Sequence, residues 1–431
     1  MRATTRGRRL RSTPRPRDRR DQLAAIAADL FRRNGYHNVG VNDIAAAAGI
    51  TGPAVYRHFP SKQAILGHVV LSGLDRFAAV IAAASEGSAA ASRDASADGA
   101  TDPAGRLDAV AASVAGLVVE RRDLGALWRR EGRNLPAEDR AALQQRARHA
   151  TRFGVRLLRD VRPELPEADA DLLCWAALSV YGSVSEHQVS LPRARFERLL
   201  AGLALAAVRC ELPGAVAGAV AVDVPGAVAV EVASVDARGA GGSAADGAGV
   251  PPAHRREQLL ELAARMFCEH GFHGVTMEDI GAAAGISGPS IYRHYAGKAD
   301  LLLAMCARIG EHLRPGVRAA ATEGLPALID SFVGTVLAHR DLVAAYLLEG
   351  HNLPDRDRAE LHRLQRAYLA EWVTRLVAAG PEPDERAARV RVHAAFAVIN
   401  DLARTHRFAA RPTLAADLTA LARAVLTGGP A

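Results

Sequence analysis

The sequence predicts an all-α protein of two tandem units, each a helix-turn-helix head followed by a longer helical body. Three observations carry that prediction. Residues 19–62 (RRDQLAAIAADLFRRNGYHNVGVNDIAAAAGITGPAVYRHFPSK) recur at a constant offset of 236 as residues 255–298 (RREQLLELAARMFCEHGFHGVTMEDIGAAAGISGPSIYRHYAGK). A second block, residues 122–143, recurs as 340–361 with an offset of 218, so unit 1 carries 18 extra residues between its two blocks. Within both blocks the apolar residues return every three or four positions, the period of an amphipathic helix, and self-similarity on this scale marks one folded unit used twice.

In each unit the first helix shows on Leu23, Ile26, Ala27, Leu30 and Phe31, and again on Leu259, Leu262, Ala263, Met266 and Phe267. Gly35 and Gly271 end it, as residues that tolerate positive φ. A second helix covers about 42–48 and 278–284 and is closed by Gly49 and Gly285. Thr51 or Ser287 then caps a third, short helix with Pro53 or Pro289 in its first turn, where a missing N–H costs nothing. Val55 and Phe59, matched by Ile291 and Tyr295, face inward, leaving Gly52, Ala54, Tyr56, Arg57 and His58 nearer solvent. Helix, tight glycine turn and short helix is the arrangement of a helix-turn-helix.

Those blocks, DIAAAAGITGPAVYRHFPSK and DIGAAAGISGPSIYRHYAGK, resemble the DNA-binding domain of tetracycline-repressor-like (TetR family) regulators, twice in one chain. The resemblance implies a three-helix head on a helical ligand-binding and dimerisation body, double-stranded DNA and a small-molecule effector as partners, and a repressor that leaves DNA when the effector binds. By position it also assigns the DNA-binding residues. Tyr56, His58 and Lys62, with Tyr292, His294 and Lys298, resemble the phosphate-contacting set, and the chain's two lysines both fall at this one repeated position. The competing reading makes them surface lysines and half-buried core histidines. Base readout falls to the exposed start of the third helix: Thr51, Gly52, Pro53 and Ala54 in unit 1, Ser287, Gly288, Pro289 and Ser290 in unit 2. Arg57 and Arg293 are placed for a bidentate guanine contact or, equally, as phosphate clamps. The two recognition helices differ so little that similar half-sites are expected. Thr276 caps the second helix of unit 2 where unit 1 has Gly40, which offers no hydroxyl.

Charge locates a further feature. The chain of 431 residues is 49% hydrophobic and 23% charged, too long and apolar to be disordered, with a net charge of +7. Residues 1–20 hold nine Arg against Asp18, so the rest of the chain is close to neutral. This basic arm is either an accessory to the first head's DNA contact, as N-terminal arms are in homeodomains, or a solvated tail adding nonspecific affinity.

The expected division is arm 1–17, first head 18–66, first body 67–211 with a low-complexity loop at 82–105, linker 212–253, second head 254–302 and second body 303–428. The linker's AVAVDV-PG-AVAVEV run alternates like two short strands, or is an Ala/Val spacer. The last two helices of each body (168–188 and 195–210; 385–408 and 413–426) correspond to the family's dimerisation helices, so the units form an intramolecular pseudo-dimer, two chains associate, or both. Glu-Gly-x-Asn-Leu-Pro, at Glu131–Pro136 and Glu349–Pro354, marks a helix end. It resembles bodies of actinobacterial regulators, some of which sense acyl-CoA thioesters. Trp128, Trp175, Trp372 and Phe396 are the expected pocket residues, with core packing as the alternative.

Other classes find little support. Four Cys without a C-x-x-C pair argue against a disulfide framework or zinc module and for a reducing cytoplasm. Neither a signal peptide nor an uncharged membrane-spanning run is evident. Cys268, His270 and His273 have the spacing of metal ligands, but unit 1 has Arg32, Asn34 and His37 there, so no metal is expected, nor any cofactor. With no G-x-S-x-G, P-loop or H-E-x-x-H motif, an enzyme is not expected. The alternative to a regulator is a sensor or interaction protein whose heads have lost DNA binding.

Overall fold

The computed structural model describes residues 16–95, 102–213, 252–286, 288–380 and 384–428; among them the chain is helical and contains no strand. Unit 1 runs α1 (Pro16–Asn34), α2 (Val41–Ala47), α3 (Gly52–Tyr56), α4 (Lys62–Ala95), α5 (Pro103–Glu120), α6 (Asp123–Glu131), α7 (Ala137–Val161), α8 (Glu167–Ser183) and α9 (Arg193–Val208). Unit 2 repeats it as α10 (Pro252–His270), α11 (Met277–Ala283), α12 (Gly288–Ile291), α13 (Lys298–Glu323), α14 (Leu325–Ala338), α15 (Arg340–Glu349), α16 (Asp355–Ala379) and α17 (Glu385–Arg404). A one-turn α18 (His406–Ala409) then precedes α19 (Leu414–Thr427), the counterpart of α9.

The heads fold for the reasons their sequence gives. Gly49 (φ +66°) and Gly285 (φ +67°) stand in the left-handed region. There the Ile50 N–H reaches the Ala45 carbonyl and the Gly49 N–H that of Ala46, and Ile286 and Gly285 do the same with Gly281 and Ala282. This is a Schellman closure, and it sets the turn between the second and third helices of each head. Inward-facing Val55, Phe59 and Ile291 are essentially buried, as their spacing requires.

Two expectations need correction. The expected loop at 82–105 is largely helix: α4 continues to Ala95 and α5 starts at Pro103. The alanine content read as low complexity is also the strongest intrinsic helix signal, and no proline interrupts it before Pro103. The arm is shorter than the expected 1–17, because α1 begins at Pro16. Residues 1–15 and the alternating run of the linker lie outside the described residues. The 62–86 stretch of α4 is long and apolar enough to cross a bilayer, but half of it is buried by packing within the protein, as in a core helix.

The two bodies pack on each other through α8 and α9 of unit 1 against α17 and α19 of unit 2. Small residues make the approach possible: Ala170 and Ala176 on α8, and Ala387, Ala388, Ala394, Ala395 and Ala397 on α17, are all buried. Ion pairs fix the register, joining Arg129 to Asp401 (2.6 Å), Arg407 to Asp171 (3.0 Å) and Arg411 to Asp169 (2.5 Å). Burial works against the Asp401 carboxylate, yet Arg129 and Arg404 hold its pKa below the usual range.

Also at this interface, the rings of His187 and His393 lie 4.7 Å apart. The Nδ1 of His187 accepts the Val189 N–H (3.2 Å), which requires that nitrogen to be unprotonated. Burial pushes His187 down to about 3 and His393 to about 4, with the mutual repulsion and Arg122 adding for His187 and Arg389 for His393. The unfolded chain therefore takes up these protons first as pH falls. Their contribution to stability is complete above about pH 6.5 and is lost as pH drops from there toward 4. Thermal unfolding between pH 7 and 5.5 should show a loss of about 1–3 kcal/mol that shrinks in the His187→Gln, His393→Gln double variant. An equally steep pH dependence in that variant would remove the histidines as its source.

Candidate nucleic-acid interface

Each head presents its third helix outward. Tyr56 (55% exposed) and Tyr292 (49%) are two of three large hydrophobic side chains left in solvent among the described residues. Such exposure marks a contact surface better than an exposed charge does. Beside them Arg57 and Arg293 are exposed and make no ion pair among the described residues. Thr51 and Pro53 are exposed and Ala54 half-buried; Pro289 is exposed and Ser290 half-buried. Ser287 and the surroundings of Gly288 lie outside the described residues. A side chain at Gly52 would meet Asn42 Oδ1 of α2 at 2.5 Å, and the Asn42 side chain would have to move aside. His58 and His294 are half-buried at the end of the helix. Tyr292 donates to Glu278 on α11 (3.1 Å), a contact absent in unit 1, where Asn42 replaces the acid.

The two lysines do something the sequence did not suggest. Lys62 Nζ donates to the carbonyls of Tyr36 (2.9 Å) and Val39 (3.0 Å) and sits 4.1 Å from the centre of the Tyr36 ring. Lys298 Nζ repeats this on Phe272 (2.5 Å), Val275 (2.7 Å) and the Phe272 ring (4.6 Å). Each ammonium thus pins the connection between the first two helices to the start of the fourth. Desolvation lowers the pKa of both. Two of the three donors of each ammonium are spent inside the head.

Arginines from the first helix of each head complete the clamp; sequence reasoning counted Arg19 and Arg20 only toward the charge of residues 1–20 and gave Arg255 and Arg256 no role. Arg19 and Arg255 donate to the carbonyls of Ala48 and Ala284, at the C-terminal end of the second helix (3.3 and 3.4 Å). Arg20 and Arg256 stack over Phe59 and Tyr295 (4.9 and 4.5 Å). Their signal was their position, since both pairs open the 236-residue repeat whereas the rest of the arm has no counterpart. Thr276 caps α11 by accepting from the Asp279 N–H (3.1 Å), while Asp279 Oδ2 accepts from the Thr276 N–H (2.9 Å). At Gly40 only the second half survives, the Gly40 N–H reaching Asp43 Oδ2 at 2.7 Å.

Comparison with known proteins agrees with this geometry. The family model described as bacterial regulatory proteins, tetR family, matches twice, at residues 23–69 and 259–305. The chain belongs to that family in tandem form. Its curated relatives include the transcriptional activator FasR of Mycolicibacterium smegmatis, 39% identical over 71 residues, 16% of this chain and 32% of FasR. The transcriptional repressor KstR2 of Rhodococcus jostii is 28% identical over 158 residues, 35% of this chain and 76% of KstR2. The chain spans about a quarter to a third of the length of the first curated relatives it matches. Among solved structures, the KstR2 ketosteroid regulator of Mycobacterium tuberculosis superposes with a TM-score of 0.35 at 20% identity, covering 43% of this chain and 93% of that one.

In this TetR-family chain the repeated Glu-Gly-x-Asn-Leu-Pro turn is more than a helix end: it is where head and body join. Buried Glu131 accepts from the Tyr36 N–H of the first head (3.1 Å) and from Asn134 (2.7 Å), and Asn134 Oδ1 pairs with His37 (3.0 Å). In unit 2, Asn352 likewise bonds Glu349 (2.8 Å) and His273 (3.0 Å). The rings of His37 and His273 lie 5.0 Å apart, so the two heads meet here. The variable third residue of the turn crosses between units. Arg133 pairs with Glu349 and stands against Gly271, and His351 stands against Gly35.

A cavity of about 830 Å³ lies behind this junction, lined by unit 1 helices and by α10, α15 and α17 of unit 2. Trp128 and Trp175 are among the residues that line it. Trp372 and Phe396 are not. Instead they pack with Phe332 and Tyr368 in an aromatic cluster, Phe396 lying 4.6 Å from Phe332 and 4.9 Å from the fully buried Trp372 between ring centres. At the matching positions unit 1 has Val114, Ala150, Gly154 and Leu178, so side-chain volume separates core from pocket in the two units.

The lysine clamps predict a stability effect in the absence of DNA. Lys62→Met or Lys298→Met leaves two carbonyls without their charged donor and should destabilise its head by about 1–3 kcal/mol. Denaturant unfolding of the free protein would measure it; wild-type stability in both variants would return the lysines to a purely phosphate-facing role.

Proposed function

We propose that this chain is a sequence-specific DNA-binding transcriptional regulator, a repressor whose hold on DNA is relieved by a small-molecule effector. Its heads, at 18–66 and 254–302, are carried on bodies that pair within one chain. The observation that carries this reading is the matched exposure of Tyr56–Arg57 and Tyr292–Arg293 at the C-terminal ends of two short helices held by the same internal clamps. A tyrosine and an unpaired arginine on a helix sized for the major groove have no packing role to explain them. Phosphate gripping falls to Tyr56, Tyr292, His58, His294, Thr276 and the remaining donors of Lys62 and Lys298. Base contact falls to Arg57 and Arg293 with Thr51, Gly52, Pro53, Ala54, Ser287, Gly288, Pro289 and Ser290. Since the exposed residues are nearly the same in both heads, the operator should be close to palindromic.

The effector reading rests on the cavity, which is large enough for a drug-sized ligand and is walled by aliphatic and aromatic side chains with arginines around them. An acyl-CoA-like molecule is one compound of suitable chemistry. The reading in which the heads have lost DNA binding draws on the inward use of both lysines and on Glu278 beside Tyr292, and the same experiment decides between the two.

Fluorescence anisotropy with a duplex from the protein's own promoter region is that experiment. Arg57→Ala and Arg293→Ala should each weaken binding by about 1–3 kcal/mol at fixed salt, and Tyr56→Ala with Tyr292→Ala should lower affinity across sequences. Deleting residues 1–15 should reduce the salt dependence while sparing the preference for the operator. Binding that survives all four head substitutions but disappears with the arm would overturn the reading.

A further inference from the structure

The two units differ where an effector would bind. In unit 2 the head and body share one continuous core, in which Leu259, Phe267 and Ile280 of the head join Met305, Phe332 and Trp372. In unit 1 the head belongs to a separate apolar cluster with Leu127, Leu135 and Leu143, and Phe77 and Trp175 are packed against both clusters. The cavity occupies that break, with Val70, Leu74, Phe77, Trp128, Trp175 and Leu178 on its walls. Unit 2 fills the equivalent positions by sequence: Gly73 is matched by Ile309, in its core, and Leu178 by Phe396, packed against that core.

Charge is distributed as unequally. Eight arginines line the cavity against the acids Glu269, Asp341 and Asp401, and Asp401 is already paired with Arg129 and Arg404. Arg122, Arg265 and Arg340 have no carboxylate partner among the described residues, and Arg340 Nε is buried without a hydrogen bond. The unit 2 counterparts of Arg129 and Arg133 are Leu347 and His351. Arg133 is itself engaged across the units, with Glu349 and with the Phe267 carbonyl at the end of α10 (3.4 Å). Glu131 holds its own head through the Tyr36 N–H, whereas Glu349 is turned to Arg133 and the equivalent Phe272 N–H has no acceptor among the described residues.

We infer that the chain holds one effector site rather than two: the unit 1 cavity, which takes an amphipathic anion whose apolar part lies against Phe77, Trp128 and Trp175 and whose charged end draws Arg133 away from Glu349. This rests on the effector-responsive regulator proposed above. Loss of Arg133 frees Glu349 for the Phe272 N–H, the bond its counterpart already makes, and so resets the second head on its body while the first stays in place. A ligand shifts such an equilibrium only by binding the two arrangements unequally, and competition for one guanidinium supplies that inequality.

The test uses the full chain and two probes of similar shape, the anion 8-anilino-1-naphthalenesulfonate and uncharged N-phenyl-1-naphthylamine. Fluorescence titration should give one saturable site per chain for each. Arg133→Gln should weaken the anion about ten-fold or more and leave the neutral probe unchanged, and Leu178→Phe, which imports the unit 2 residue, should exclude both. Saturating anion should release wild-type protein from its promoter duplex, and Arg133→Gln, which frees Glu349 without any ligand, should bind that duplex at least about ten-fold more weakly even in the anion's absence; wild-type DNA affinity in Arg133→Gln would overturn the switch. Two equivalent sites per chain, no saturable site, or equal loss of both probes in Arg133→Gln would overturn the inference. If the probes behave as described but the apo-protein binds no promoter DNA, the regulator reading falls and the single anion site stands.

Discussion

The position of each head depends on the packing of α8 and α9 against α17 and α19. A helix-turn-helix of this size reads too few bases to be specific alone, and two heads gain from each other only if their separation is fixed. Here that separation is set by alanine-lined helix contacts and by ion pairs from Arg129, Arg407 and Arg411, all within one chain. The second unit is thus always present at high effective concentration, and pairing does not depend on how much protein is present. Breaking one such pair would be costly chiefly because the remaining charge is left in a poorly solvated place, most of all at fully buried Asp417, which shares Arg411 with Asp169.

Duplication within one chain removes the symmetry that a homodimer must keep. Sites that join head to body have stayed matched: Glu131 with Glu349, Asn134 with Asn352, and Arg140 with Arg358, which donates to the same two turn carbonyls as its partner. Sites that fill or empty the body have diverged, with Gly154 facing Trp372 and Ala150 facing Tyr368 in the alignment of the repeats. The pattern is what separate demands produce, since the junction of head and body is kept in both units whereas the bodies are filled differently.

What could be read from the sequence follows the range of the interactions involved. The head was legible because its determinants are local: glycine where φ must be positive, a cap before the third helix, and inward residues four apart. The pairing of α8 and α9 with α17 and α19 was legible as a resemblance, though not which arginine meets which aspartate. The extent of α4 was misread because composition was weighed as disorder when the same alanines favour helix. Trp372 and Phe396 were placed in a pocket because an aromatic residue on a helix looks alike in a core and in a cavity. Only the neighbouring Phe332 and Tyr368, brought in from α14 and α16, decide which it is.

The use of lysine at 62 and 298, in a chain that otherwise relies on arginine for its cations, follows from the geometry of the clamp. Two carbonyls one turn apart and an aromatic face converge on a point, and a compact ammonium with three tetrahedral donors can serve all of them. A planar guanidinium presents its donors as a fork, which suits a carboxylate or a guanine edge better than two converging carbonyls. It would also need more room between α4 and the α1–α2 connection. The same ammonium keeps one donor for the outside at the N-terminal end of a long helix, where the dipole favours an approaching phosphate. One charge in each unit thus folds the head and, in the proposed regulator, is also placed to meet a phosphate, and a guanidinium would serve the internal half of that pairing less well.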